Sequence, residues 1–77
     1  MLVLYGTHGC QLCEDALTLV LAVPALAGSV LDYVDIAEDA ALLDELAERI
    51  PVLEWPCQAL RLYWPFDAAA VQGLLAG

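Results

Sequence analysis

The first apolar block, Met1 to Tyr5, is continuous and ends at Gly6, the pattern of a short strand buried on both faces. Gly6-Thr7-His8-Gly9 follows with loop chemistry, its two glycines letting the backbone turn sharply. From Cys10 the chain passes to helix formers (Glu14, Asp15, Ala16, Leu17), with acids where a helix N-terminus favours them. Leu12, Ala16, Leu19 and Val23 keep helical spacing, and Pro24 followed by Gly28 marks the exit. Val30 to Ile36, β-branched and aromatic, reads as a second strand, and Asp32 and Asp35 place it at a sheet edge.

Asp35 or Asp39 then caps a second helix whose apolar stripe is Leu42, Leu43, Leu46, Ala47 and Ile50. Glu45 and Arg49 on its wet side are spaced for an i,i+4 ion pair. Pro51 closes this helix and opens a third strand, Val52-Leu53-Glu54-Trp55. After the turn residues Pro56-Cys57-Gln58, Leu60 to Trp64 forms a fourth strand, antiparallel to the third. Asp67 is the N-cap of a last helix through Leu75. The order βαβαββα predicts an α/β fold over residues 1–77: a mixed four-stranded sheet with helices on both faces.

Composition narrows the function. The chain is 62% apolar, against an ordinary value of about 45–50%, which excludes intrinsic disorder. The charge-free stretch Ala16 to Leu31 is broken by Pro24, Gly28 and Ser29, so no membrane-spanning helix is expected. No Lys or Arg precedes the first apolar run, so a signal peptide is not expected either, and a cytoplasmic location follows. Eleven acids against two arginines give a net charge of −9. That field repels phosphate backbones and anionic lipid, so neither nucleic acid nor membrane is an expected partner.

Two of the three cysteines are paired as Cys10-Gln11-Leu12-Cys13. A bridge closing so small a loop removes little unfolded-state entropy, so the pair is read as redox or metal chemistry rather than a staple. Cys10 stands where the first helix begins, and free N–H groups and the helix dipole there favour a thiolate over a thiol. Cys13, one turn deeper, is expected to be less exposed. These placements make Cys10 the attacking sulfur and Cys13 the resolving one. Glu14 and Asp15 oppose the thiolate; His8 supports it if protonated, or is simply an exposed loop histidine.

Several residues carry two readings. Pro51 either opens a strand where no ladder N–H is needed, or, after a cis Ile50-Pro51 bond, presents backbone to an extended substrate beside Cys10. Leu17, Leu19, Val20 and Leu21 make the first helix apolar nearly all round, so it is either deeply sandwiched or leaves a patch for a partner protein or a dimer. Trp55, Trp64 and Phe66 are core packing or a ligand box. Cys57 is a bystander thiol, or a site of glutathionylation or intermolecular bridging. The segment from Thr7 to Cys13 is also similar to the loop of small copper-carrying domains, but a helix follows the second strand here where those have a third strand. A zinc site would need His8, Cys10, Cys13 and Cys57, and the third strand carries Cys57 roughly 15 Å from the pair. No metal is therefore expected.

Four motifs keep their order and spacing: Leu4-Tyr5-Gly6-Thr7-His8-Gly9-Cys10-Gln11-Leu12-Cys13, Val34-Asp35-Ile36, Ile50-Pro51-Val52-Leu53 and Trp64-Pro65-Phe66-Asp67. Together they resemble the glutaredoxin-like branch of the thioredoxin superfamily over essentially the whole chain, especially its small bacterial members. The resemblance implies a thioredoxin-like fold with Pro51 as its cis-proline and a thiol–disulfide oxidoreductase with Cys10 as nucleophile and Cys13 as resolving thiol. It makes His8, Gly9, Gln11, Leu12, Ile50 and Pro51 active-site neighbours. It further implies no bound cofactor, glutathione as a reductant contacting Arg49 and Asp67, and a protein disulfide or glutathione mixed disulfide as partner. The chain departs from typical glutaredoxins in carrying Gln11-Leu12 for Pro-Tyr, Thr7-His8 for a basic residue, and Trp64-Pro65-Phe66-Asp67 for Gly-Gly-x-Asp. The alternatives are a thioredoxin-fold binding module without turnover and a soft-metal carrier.

Overall fold

Side chains alternate across a strand, so the central strand divides the molecule into two cores. In the computed structural model, which describes residues 2–23, 31–56 and 59–76, that strand is β1 (Leu2–Gly6). It pairs in parallel with β2 (Leu31–Asp35), Leu4 opposite Tyr33, and antiparallel with β3 (Val52–Trp55), Leu4 opposite Leu53. β3 pairs antiparallel with β4 (Leu60–Tyr63), giving the sheet order β2-β1-β3-β4. The mixed sheet and the edge position of β2 are as the sequence predicts.

Leu2, Leu4 and Leu53 face α1 (Gln11–Leu21) and α3 (Ala68–Ala76), packing with Ala16, Val20, Val71 and Leu74. Behind the opposite face lies α2 (Ala40–Leu46), where Leu46 meets Ile36 and Val52, flanked by Tyr5, Leu42 and Ile50. Among the described residues the first cluster has nine buried members and the second three. At about 1.5–3 kcal/mol for each large apolar side chain buried, the α1/α3 face supplies most of the stabilisation. Trp55 and Trp64 pack against that cluster and Phe66 is part of it, its ring meeting Trp64 edge-on at 5.1 Å. These aromatics are core packing.

Caps set the helix starts. The Asp35 carboxylate accepts from Ala37 N in a short 3-10 turn, Ile36–Glu38, and Asp39 accepts from Ala41 N and Leu42 N at the head of α2. Both candidate caps therefore act, on successive elements. Asp67 accepts from Ala70 N at 2.8 Å and starts α3.

The second helix is shorter than its apolar spacing implies. It ends at Leu46, and the chain reaches Pro51 through turns in which Arg49 N and Ile50 N both donate to Leu46 O. Leu43 is 44% exposed and Ala47 is exposed, because the second cluster needs only Leu42, Leu46 and Ile50. The expected Glu45–Arg49 pair gives way to a longer-range one. Glu45 binds Arg61 at 2.7 Å, while the Arg49 guanidinium lies over the Tyr63 ring.

The first helix also differs in phase. Its inward stripe is Cys13, Ala16 and Val20, which turns Leu12 to the surface at 49% exposure. Leu17 and Leu19 pack against the core, whereas Leu21 is 61% exposed, so the helix is not sandwiched all round. Leu12 and Leu21 lie nine positions apart, on opposite sides of the helix, and do not join into one patch. Among the described residues no helix is long and apolar enough to cross a membrane. Cys57, with the readings attached to it, lies outside the described residues, as do Pro24, Gly28 and Val30.

Candidate active site around Cys10 and Cys13

The loop between β1 and α1 delivers Cys10 as the N-cap of the helix. Its backbone is extended (φ −99°, ψ 110°), and its sulfur takes the place a serine or aspartate oxygen usually fills. Cys13 N donates to Cys10 Sγ at 3.2 Å, and Glu14 N donates to Cys10 O at 3.1 Å to close the first turn. The turn into the cap uses Gly9 at φ +74°, a conformation side chains rarely tolerate. Gly6 serves a different need. A β-carbon there would collide with the Tyr33 hydroxyl and stand 3.1 Å from Cys13 Cβ.

The two thiols are free and unlike one another. Cys10 is half-buried and Cys13 fully buried. The Cys13 thiol is raised to about 11, first by burial, then by its hydrogen bond to Cys10 and the negative charge on Cys10 and Asp35, against a Thr7 backbone hydrogen bond that pulls it down. At neutral pH Cys13 thus holds its proton. Tyr33 is also raised, first by burial, then by the charges at Cys13, Cys10, Asp35 and Glu14. Its hydroxyl donates to Thr7 O at 3.4 Å.

His8 is 91% exposed and stands with Nε2 3.5 Å from Asp35 Oδ2, so it is a loop histidine directed at the end of β2. Thr7, His8, Gly9, Glu14, Leu17 and Tyr33 line a recess of about 210 Å³ beside the cysteine pair. Gln11 is occupied at the surface, donating to Asp15 Oδ1 at 2.9 Å. Ile50 belongs to the second core cluster. Pro51 is fully buried, and continuing the Tyr5–Val52 register by one step sets it beside Gly6. Its carbonyl accepts from Trp64 N at 3.2 Å, and the Ile50–Pro51 and Trp64–Pro65 bonds are both cis.

Arg49 and Asp67 line separate recesses, one along α2 and one between β4 and α3, and neither borders the recess at the cysteines. Among the described residues no group of three His, Cys, Asp or Glu side chains is placed to hold a metal ion.

Tyr33 is the site residue that sequence reasoning passed over. As one aromatic in an edge strand it carries no local mark. The usable signal was Gly6, a glycine at the end of a buried strand, which announces that something packs too close for a β-carbon.

A strand, a capping cysteine, a buried second cysteine one turn on and a proline at the head of the next antiparallel strand define a thioredoxin-like domain with a CxxC pair. The chain belongs to the glutaredoxin-like domain family (DUF836), whose model matches residues 1–76. It is similar to the structural-genomics target protein XcR50 from X. campestris. The X-ray structure of XcR50 aligns with a TM-score of 0.83 and 33% identity, covering 99% of this chain and 96% of that one. Its solution structure aligns with a TM-score of 0.78 and 40% identity, covering 97% and 91%. Among curated proteins none matches.

Proposed function

We propose that the protein is a thiol–disulfide oxidoreductase in which Cys10 attacks and Cys13 resolves. The inequality of the two sulfurs supports this reading most directly: one is half-open and receives an N–H, the other is buried and protonated. The Cys10 thiolate attacks one sulfur of a substrate disulfide; the new S–S bond forms as the old one breaks, and the departing thiolate takes a proton from solvent. Negative charge on Cys10 is then gone, and with it two of the influences that hold the proton on Cys13. Cys13 loses that proton and attacks Cys10 Sγ. The second half of the substrate takes up a proton, balancing the one Cys13 gave up, and leaves as a thiol; the two electrons gained by the substrate disulfide as a whole are matched by the Cys10–Cys13 disulfide.

A thiol reductant must restore the dithiol. Membership of the family makes glutathione the first candidate, with a protein disulfide or a glutathione mixed disulfide as substrate in a reducing compartment such as the cytoplasm. Arg49 and Asp67 are the contacts the resemblance implies, although Asp67 already spends an oxygen on capping α3. Pro51, beside Gly6 in the register, offers neighbouring backbone to an extended substrate strand.

The test is stoichiometric oxidation of the reduced protein by bis(2-hydroxyethyl) disulfide, followed by mass. With Cys57 replaced by serine throughout, the protein with both active-site cysteines should lose two hydrogen atoms as the intramolecular disulfide forms, and Cys10→Ser should not react. Equal, small losses in Cys10→Ser and Cys13→Ser would favour a binding module without turnover.

A further inference from the structure

The recess beside the cysteines has two kinds of wall. Leu17 and the Tyr33 ring are apolar, and Glu14 brings a carboxylate that has no hydrogen-bond or ionic partner among the described residues. Its neighbour Asp15 is engaged by Gln11, and Asp35 by His8 and Ala37 N. Neither arginine reaches this end: Arg61 is held by Glu45 and Glu54, and Arg49 by the Tyr63 ring. A net charge of −9 therefore acts on an incoming substrate with no nearby arginine to offset it.

Resting on the oxidoreductase reading, we propose that this recess is a subsite for a basic side chain of the disulfide substrate. Glu14 takes the cationic head, and Leu17 and Tyr33 flank the aliphatic stem. Long cationic side chains bind in this manner, stem against apolar surface and head toward charge, and an aromatic ring adds attraction for the cation. His8, on the rim, is the one group there able to carry positive charge, and its pairing with Asp35 directs it to the end of β2. The same field disfavours anionic disulfides.

The experiment is single-turnover oxidation of the reduced protein by cystamine (a dication), bis(2-hydroxyethyl) disulfide (neutral) and 3,3′-dithiodipropionate (a dianion), at low and high salt. The expected order is cystamine, neutral, dianion, with the spread shrinking as salt screens the field. Glu14→Gln should lower the cystamine-to-neutral rate ratio roughly two- to fivefold, the worth of one exposed ion pair. Glu48→Gln makes the same change of net charge on the far side of the sheet and should leave the ratio nearly unchanged. Equal effects of the two substitutions, or no charge ranking with the neutral disulfide still reduced, would overturn the subsite while leaving the oxidoreductase reading intact. Failure to reduce any of the three would remove both.

Discussion

The hydroxyl of Tyr33 occupies the space in which a β-carbon on Gly6 would stand. Two neighbouring strands thereby close over the buried cysteine, with Cys13 Cβ 3.1 Å from that same point. Gly6→Ala must displace either the tyrosine or the helix start. The expected cost is about 1–3 kcal/mol, as for other overpacked sites, measured by chemical denaturation. Unchanged stability with Tyr33 in place would show that the strands separate freely here.

The division of labour between the sulfurs predicts different products from two substitutions. Cys13→Ser should accumulate a mixed disulfide at Cys10, visible as an added half-substrate mass. With Cys57 replaced by serine in both proteins, Cys10→Ser should accumulate none, because Cys13 is buried and protonated at neutral pH.

Alkylation should report the same asymmetry as a function of pH. With its thiol raised to about 11, Cys13 binds its proton more firmly folded than unfolded, so the folded protein should resist iodoacetamide at Cys13 until pH approaches that value. Cys10→Ala removes both the hydrogen bond and the charge that Cys10 contributes, so the onset of labelling should move to lower pH, with burial still holding it above an exposed thiol. Peptide mapping of the labelled protein reads both.

On the opposite face, Glu54 accepts from Tyr5 Oη and from Arg61 Nε, each at 2.7 Å. Burial pushes the Glu54 carboxyl up, but the Arg61 and Tyr5 hydrogen bonds and the arginine charge outweigh it, and the net shift is downward. A carboxyl lowered by folding contributes stability above its unfolded value, and loses it as pH falls through the folded one. Wild type should therefore lose stability below the ordinary glutamate range of about 4.3, and Glu54→Gln should flatten that loss. Tyr5, raised to about 12 chiefly by burial and then by Glu54, gives the complementary limb: stability declines as pH climbs above 10. Thermal melts across pH 3–11 test both signs.

Local signals were legible and distant ones were not. The strand Val52–Trp55 and the Asp67 cap follow from a few adjacent residues, and the structure places both as the sequence predicts. The cysteine pair was equally legible, because strand, glycine loop and helix formers are consecutive. Leu12 was misplaced because helical spacing fixes a period and not a phase; the phase was set by Cys10 acting as cap, which turns Cys13 inward. The Glu45–Arg49 pair looked sound by spacing, yet Arg61 is sixteen residues from Glu45 and only the sheet brings the two together. Tyr33 was invisible for the same reason, since its importance arises from the parallel register with β1.

Arg61 joins three segments at once, with Nε on Glu54 of β3, a terminal nitrogen on Glu45 of α2, and its own backbone in β4. A forked, planar cation reaches two carboxylates in different directions, whereas an ammonium concentrates its charge at a single point. Lysine at this position would satisfy one acid and strand the other, releasing either the short helix or the hairpin from its neighbour.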